Sequence, residues 1–170
     1  MLSLEHDDTS YLVLVRIGDQ NYGIPTSQVG MFTQMPNDFI PVPIGADWVL
    51  GVASLGGNVV ICNDLSRMID NNPSAITMSS RILIPSRIVG IHVGLLVNKV
   101  YGWVEETDIE PFYDNFRKWI TGYGEDNGKH FAVMDIAKLV SSDLFLNAGS
   151  PVFAGQAGVD GYAARAYEKL

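Results

Sequence analysis

Three histidines, one cysteine and a run of acids are the residues of this 170-residue chain best suited to chemistry. His6, His92 and His130 stand far apart, and none has a Cys or carboxylate at the short spacing with which metal ligands converge. No metal and no cofactor are therefore expected. A thiol acts as a nucleophile only as the thiolate, which needs a basic neighbour, and Cys62 sits in the apolar run 59–62 without one. It reads as a small hydrophobe, and no G-x-S-x-G elbow is present. Gly122, Gly124 and Gly128 have some of the glycine spacing of a phosphate cradle. They lack its lysine, though, and Glu125 and Asp126 would repel phosphate, so a hairpin turn fits better. Glu105, Glu106, Asp108, Glu110 and Asp114 could supply a glycosidase-like carboxylate pair, but a charge run is more simply a solvated surface. A small carboxylate-dependent hydrolase is the enzymatic alternative. It would need a buried carboxylate with a strongly shifted pKa in a cleft.

The elements that must position these residues are short and extended. Two apolar runs, 49–55 and 59–62, are joined by Gly56-Gly57-Asn58, a hairpin signal. In the second run Val59 and Ile61 point one way and Val60 and Cys62 the other. All four are apolar, so this strand is expected to be covered on both faces. Asn63 or Asp64 can cap a short helix over 65–69. Residues 11–17 alternate Tyr11, Val13, Val15, Ile17 against Leu12, Leu14, Arg16, and the turn at 18–21 leads to a second hairpin strand. Val29, Met31 and Phe32 precede Pro36, Pro41 and Pro43, which bar any central strand and predict a crossing loop. Core filling is the simpler reading of these three, and Val29 is the one expected at the surface. Residues 70–74, DNNPS, read as a hinge between two lobes. Strands are predicted over 81–85, 88–97, 101–104, 109–112 and 131–134. Ile136, Leu139, Val140 and Leu144 have the spacing of an amphipathic helix over 135–146. Flexible termini are expected at 1–10 and 148–170.

Composition bounds the function. With 47% apolar and 18% charged residues the chain can bury the core of one domain, residues 11–146. A net charge of −8 with only 11 scattered Lys and Arg argues against nucleic acid and against anionic membrane surfaces. The longest apolar region, 82–97, is broken by Pro85, Ser86, Arg87 and His92 and falls short of the roughly 20 residues that span a bilayer. The acidic first ten residues do not look like a signal peptide. A cytoplasmic location is expected.

The run Trp48-Val49-Leu50-Gly51-Val52-Ala53-Ser54-Leu55-Gly56-Gly57, followed by an apolar strand and Asp64-Leu65, resembles the "KGVxNLRGxxxPxxDL" pattern of the CheW family of chemotaxis coupling proteins. Gly56 stands where that family carries arginine, and Cys62 or its neighbour replaces its proline. GDQNYGIP at 18–25 is similar to the family's "GDExYGI", IVGIHVGLLV at 88–97 to its "VGIxVDxV", and ITGYG at 120–124 to its "xxGxG". The resemblance implies an all-β fold of two five-stranded SH3-like barrels with a groove between them and a C-terminal helix. It implies a non-enzymatic adaptor that couples the cytoplasmic tip of a methyl-accepting chemoreceptor to the regulatory domain of a CheA-type histidine kinase. Residues 47–57 and 93–102 look like the pilus-type, PilI-like members that serve twitching motility. By resemblance Val29 and Gly51 fall at positions of receptor and kinase contact, and together with Leu55, Gly56 and Gly57 they form the expected partner surface. An SH3-like peptide-binding module unrelated to chemosensing is the non-enzymatic alternative.

Overall fold

The computed structural model describes residues 9–42, 46–87, 89 and 93–142. His6, His92, most of the expected N-terminal tail and all of residues 148–170 lie outside these. The alternation at the start of the chain gives β1 (Tyr11–Ile17), which turns through Gly18 (φ +60) into the antiparallel β2 (Gln20–Pro25). A single 3-10 turn, Thr26–Gln28, then crosses to a second sheet. That sheet is built from β3 (Val29–Gln34), β4 (Val49–Leu55), β5 (Asn58–Asp64), β6 (Arg81–Pro85) and β7 (Val93–Val97), with helix α1 (Leu65–Asp70) after β5. Its order is β3-β6-β7-β5-β4. The chain returns through β8 (Lys99–Glu105), β9 (Glu110–Pro111), β10 (Ile120–Asp126) and β11 (Lys129–Met134), which join the first hairpin in the order β8-β1-β2-β11-β10-β9. Helix α2 (Ile136–Val140) follows.

The five-stranded sheet is thus one continuous stretch, 29–97, inserted into a six-stranded sheet made from both flanks, 11–25 and 99–134. The sixth strand, where five were expected, is the two-residue β9. It pairs with β10 at Gly122, where a Cβ would meet the Glu110 carbonyl oxygen at 2.9 Å, so only glycine admits the extra strand.

Residues 70–74 do not form the interlobe hinge that their composition suggests. They lie inside the inserted lobe, from the last residue of α1 into the connection to β6. The Asp64 carboxylate fixes them there. It caps α1 by accepting from the Arg67 N–H (3.3 Å) and also accepts from the Ser74 N–H (2.8 Å) and hydroxyl (2.6 Å). The sheet-to-sheet crossings are at 26–28 and at Asn98, whose Oδ1 accepts from the Gly18 N–H at 2.7 Å.

Each sheet has two covered faces. One large core is shared: Val13, Val15, Ile24 and Met134 from the six-stranded sheet cluster with Ile61, Leu83 and Leu95 from the other and with Ile136 and Leu139 of the helix that follows β11. Behind it lie two small clusters, Val60, Cys62, Ile82 and Leu96 in the inserted lobe and Leu12, Phe131 and Val133 in the other. The two-sided cover expected of residues 59–62 follows, since Ile61 faces the shared core and Val60 and Cys62 the private one. A fully buried aliphatic side chain stabilises by about 1.5–3 kcal/mol, so the shared core is what joins the lobes. Gln28 adds a polar tie, donating to the Asp135 carboxylate (3.0 Å) and accepting from the Ile136 N–H (2.6 Å) at the N-terminus of α2.

Helix α2 is shorter than the predicted 135–146. The Ser141 and Ser142 hydroxyls donate to the carbonyls of Ala137 (2.7 Å) and Leu139 (2.6 Å), ending the ladder at Val140. Residues 143–146 lie outside the described residues.

Candidate functional site

The glycines at the β4–β5 tip hold φ of +58 (Gly56) and +80 (Gly57), the two consecutive left-handed residues of a tight hairpin turn. Leu55 and Asn58 close the turn as its flanking pair. Opposite the tip lies β3, at the other edge of the same sheet. A Cβ on Gly56 would stand 3.6 Å from both the sulfur and the terminal methyl of Met31, so the sheet curls until its two edges meet. A second contact between the edges lies further along: Ile40, after β3, exchanges both backbone hydrogen bonds with Val52 at 2.9 Å. Gly51 stands beside that bridge at φ +135, where a Cβ would lie 2.6 Å from the Ile40 carbonyl oxygen.

The expected partner residues are therefore split. Gly56 and Gly57 form an exposed tip with Met31 beside it, and Met31 is 45% exposed. Leu55 is half-buried against the private cluster of the inserted lobe. Val29, expected at the surface, is half-buried and packs on the shared core, as does Phe32. Gly51 serves the backbone contact with Ile40. The reason Met31 rather than Val29 faces out is a register shift between them. At Gly30 the chain passes so close to β6 that a Cβ would meet the Pro85 carbonyl oxygen at 2.8 Å. Sequence reasoning grouped Met31 with its neighbours but had no signal for the bulge that turns it outward. It also passed over Trp103, which is 74% exposed on the edge strand β8, and Tyr101, whose ring carries the ammonium groups of Lys99 and Lys129 at 5.1 and 5.5 Å.

Among the described residues the groups suited to chemistry do not converge. Glu105, Glu106, Asp108 and Glu110 are exposed. Half-buried Asp114 is occupied, accepting from the Phe116 N–H at 2.6 Å. The buried Asp64 is committed to its cap. Burial pushes the Cys62 thiol up to about 12, which removes it as a nucleophile. His130 lies 3.5 Å from Glu125 on the surface. Gly122 and Gly124 pack against Ile109 and Phe131 in the β10–β11 hairpin, whose turn is Asn127-Gly128, as the hairpin reading required. Among the described residues there is no group of three or more His, Cys, Asp or Glu that could hold a metal, and no helix is long and apolar enough to cross a membrane.

Two small sheets wrapped around one shared core, with apolar side chains left exposed at a strand edge, make an all-β scaffold. The chain belongs to the CheW family: the CheW-like domain matches residues 11–144. Its structure is similar to the crystal structure of the scaffolding protein TtCheW from Thermoanaerobacter tengcongensis, with a TM-score of 0.66 over 79% of this chain and 94% of that one. The two are 19% identical, so this likeness is one of fold. Comparison with curated proteins finds no match.

Proposed function

We propose that this chain is a cytoplasmic coupling adaptor that joins the cytoplasmic tip of a chemoreceptor to the regulatory domain of a CheA-type histidine kinase, with type IV pilus motility as the output. Its membership of the CheW family over 11–144 carries the reading. An adaptor of this kind works by holding partners in a fixed geometry, and the apolar tip formed by Met31 beside Gly56-Gly57 suits that role. Methionine is adaptable at contact surfaces. Where the family pattern has arginine, Gly56 contributes no forked donor for a carboxylate, so contact at this tip rests on shape and apolar area. The pilus output rests on the resemblance of residues 47–57 and 93–102 to pilus-type members.

Capture of the purified chain by the regulatory domain of a CheA-type kinase from the same organism and by a receptor cytoplasmic fragment tests the reading. Met31→Asp is expected to abolish capture while melting within a few degrees of wild type, because an exposed side chain contributes little to folding. Deleting the gene is expected to abolish twitching and leave swimming intact. Capture of neither partner refutes the coupling role, and a swimming defect alone refutes the pilus output.

A further inference from the structure

Tyr101 stands in β8 as the extra residue of a bulge. Leu14 pairs with Gly102 and Val15 with Val100, which leaves Tyr101 without a cross-strand partner on β1. Gly102 holds φ +139, and a Cβ there would meet nothing within 4 Å, so glycine is required by the backbone conformation rather than by space. Bulges re-aim side chains beside functional sites. This one sets the Tyr101 ring, 42% exposed, along a cleft of about 130 Å³. The lining of the cleft is largely apolar: Phe131 is buried, and half-buried Leu14 packs on the small cluster of Leu12, Phe131 and Val133.

The same ring gathers cations. Lys99 of β8 and Lys129 of β11 bring their ammonium groups to 5.1 and 5.5 Å from its centre. Arg16 stands directly opposite Lys99 across the β1–β8 pair, a placement of like charges that weakens a sheet. Arg16 is offset by Asp19 at 3.3 Å. Neither lysine has a carboxylate at ion-pair distance among the described residues, although the chain holds 19 acids against 11 bases. Asp126 also borders the cleft, but its carboxylate accepts from the Asn127 amide at 3.1 Å. Two ammonium groups held on one ring without a counter-charge attract an anion. The cleft is far below the roughly 300–1,000 Å³ of a small-molecule pocket, and its lining suits one aliphatic side chain. Acidic motifs are recognised by clustered cations, with an anchor side chain in a pocket supplying most of the affinity. We propose that this cleft docks a short acidic segment of a partner protein, one apolar side chain of which enters beside Tyr101 while its carboxylates pair with Lys99 and Lys129. The site lies on the six-stranded sheet, whereas the Met31 tip belongs to the inserted lobe, so it is a second surface of the chain and does not rest on the coupling role.

Titration of the 15N-labelled full-length chain with the synthetic peptide acetyl-Glu-Glu-Leu-Asp-Glu-amide tests this. Saturable shifts are expected at the amides of Lys99, Tyr101, Lys129 and Phe131, weakening as salt is added. Lys99→Gln combined with Lys129→Gln is expected to reduce affinity about tenfold, the worth of two exposed ion pairs, without moving the melting temperature. Lys129→Arg should retain binding. A peptide with serine in place of leucine should bind several-fold more weakly. No saturable shift at millimolar peptide, or equal binding by the double variant, would overturn the proposal. Equal binding of the serine peptide would reduce the site to a bare charge patch and overturn it, and equal competition by free glutamate would do so by identifying a small carboxylate as the ligand. Shifts that follow protein concentration without peptide would name a second copy as the occupant, against the proposal. Capture by the kinase domain and receptor fragment is expected to survive in the double variant; its loss would assign these lysines to the coupling interface and overturn the separate site.

Discussion

Gly56 holds φ +58 at the tip that faces Met31, a conformation costing an L-residue with a side chain roughly 1–2 kcal/mol. Gly56→Arg, which restores the residue of the family pattern, is expected to lose about that much stability in a denaturant titration. The space beside Met31 is ordinary van der Waals contact, so the loss should come from the backbone rather than from a clash. A mutant as stable as wild type would show that the turn relaxes. Cys62 carries a different signature. Its thiol is raised by burial from the ordinary 9.0 to about 12. Below pH 9 the folded and unfolded chains both hold that proton and its contribution is complete. As pH climbs from about 9 to about 12 the unfolded chain releases a proton that the folded one keeps, and stability falls. Tyr22, raised mainly by burial and next by Asp70, acts with the same sign above its ordinary 10.0. Cys62→Ala is expected to flatten part of this alkaline decline, measured as unfolding midpoint against pH. Thiol reagents at neutral pH should label wild type only as fast as it opens.

At the scale of the elements, β7 leaves no room for an added methyl at Gly94. A Cβ on Gly94 would meet the Ile82 methyl at 2.7 Å and the Cys62 sulfur at 2.9 Å, and overpacking of this kind costs about 1–3 kcal/mol. Gly94→Ala should show that loss in a thermal melt, and the double mutant with Cys62→Ala should recover part of it. What the chain discloses about its elements follows the range of the forces involved. The alternation of Tyr11–Ile17, the Gly56-Gly57 turn, the apolar run 59–62 and the Asp64 cap are local patterns, and all were legible. The role of residues 70–74 was not, because it depends on the Asp64 carboxylate reaching Ser74 and on which sheet the next strand joins. The outward turn of Met31 depends on how close Gly30 lies to Pro85, and the exposure of Trp103 on β8 being the edge of its sheet. Each is decided by partners far away in sequence. The candidate site was legible as a tip, while the apolar side chain that accompanies it was visible only in three dimensions.

For the molecule as a whole, the shared core predicts that the lobes do not melt separately. Trp48 packs on that core within the inserted lobe, and Trp119 lies in it on the other side. Variants keeping only one of these two tryptophans are expected to give coincident unfolding midpoints by fluorescence, the sign of a single cooperative transition. Resolved midpoints would mean that the lobes are independent. The nesting of one sheet within the other also has a consequence during synthesis. Residues 29–97 hold every strand of their own sheet and can assemble as soon as they leave the ribosome, whereas β2 must wait for its parallel neighbour, with Tyr22 paired to Ala132. Contacts so distant in sequence form late. The β1–β2 hairpin therefore spends most of translation without its parallel neighbour, its apolar Leu12 left without Phe131 and Val133 until the last strand appears.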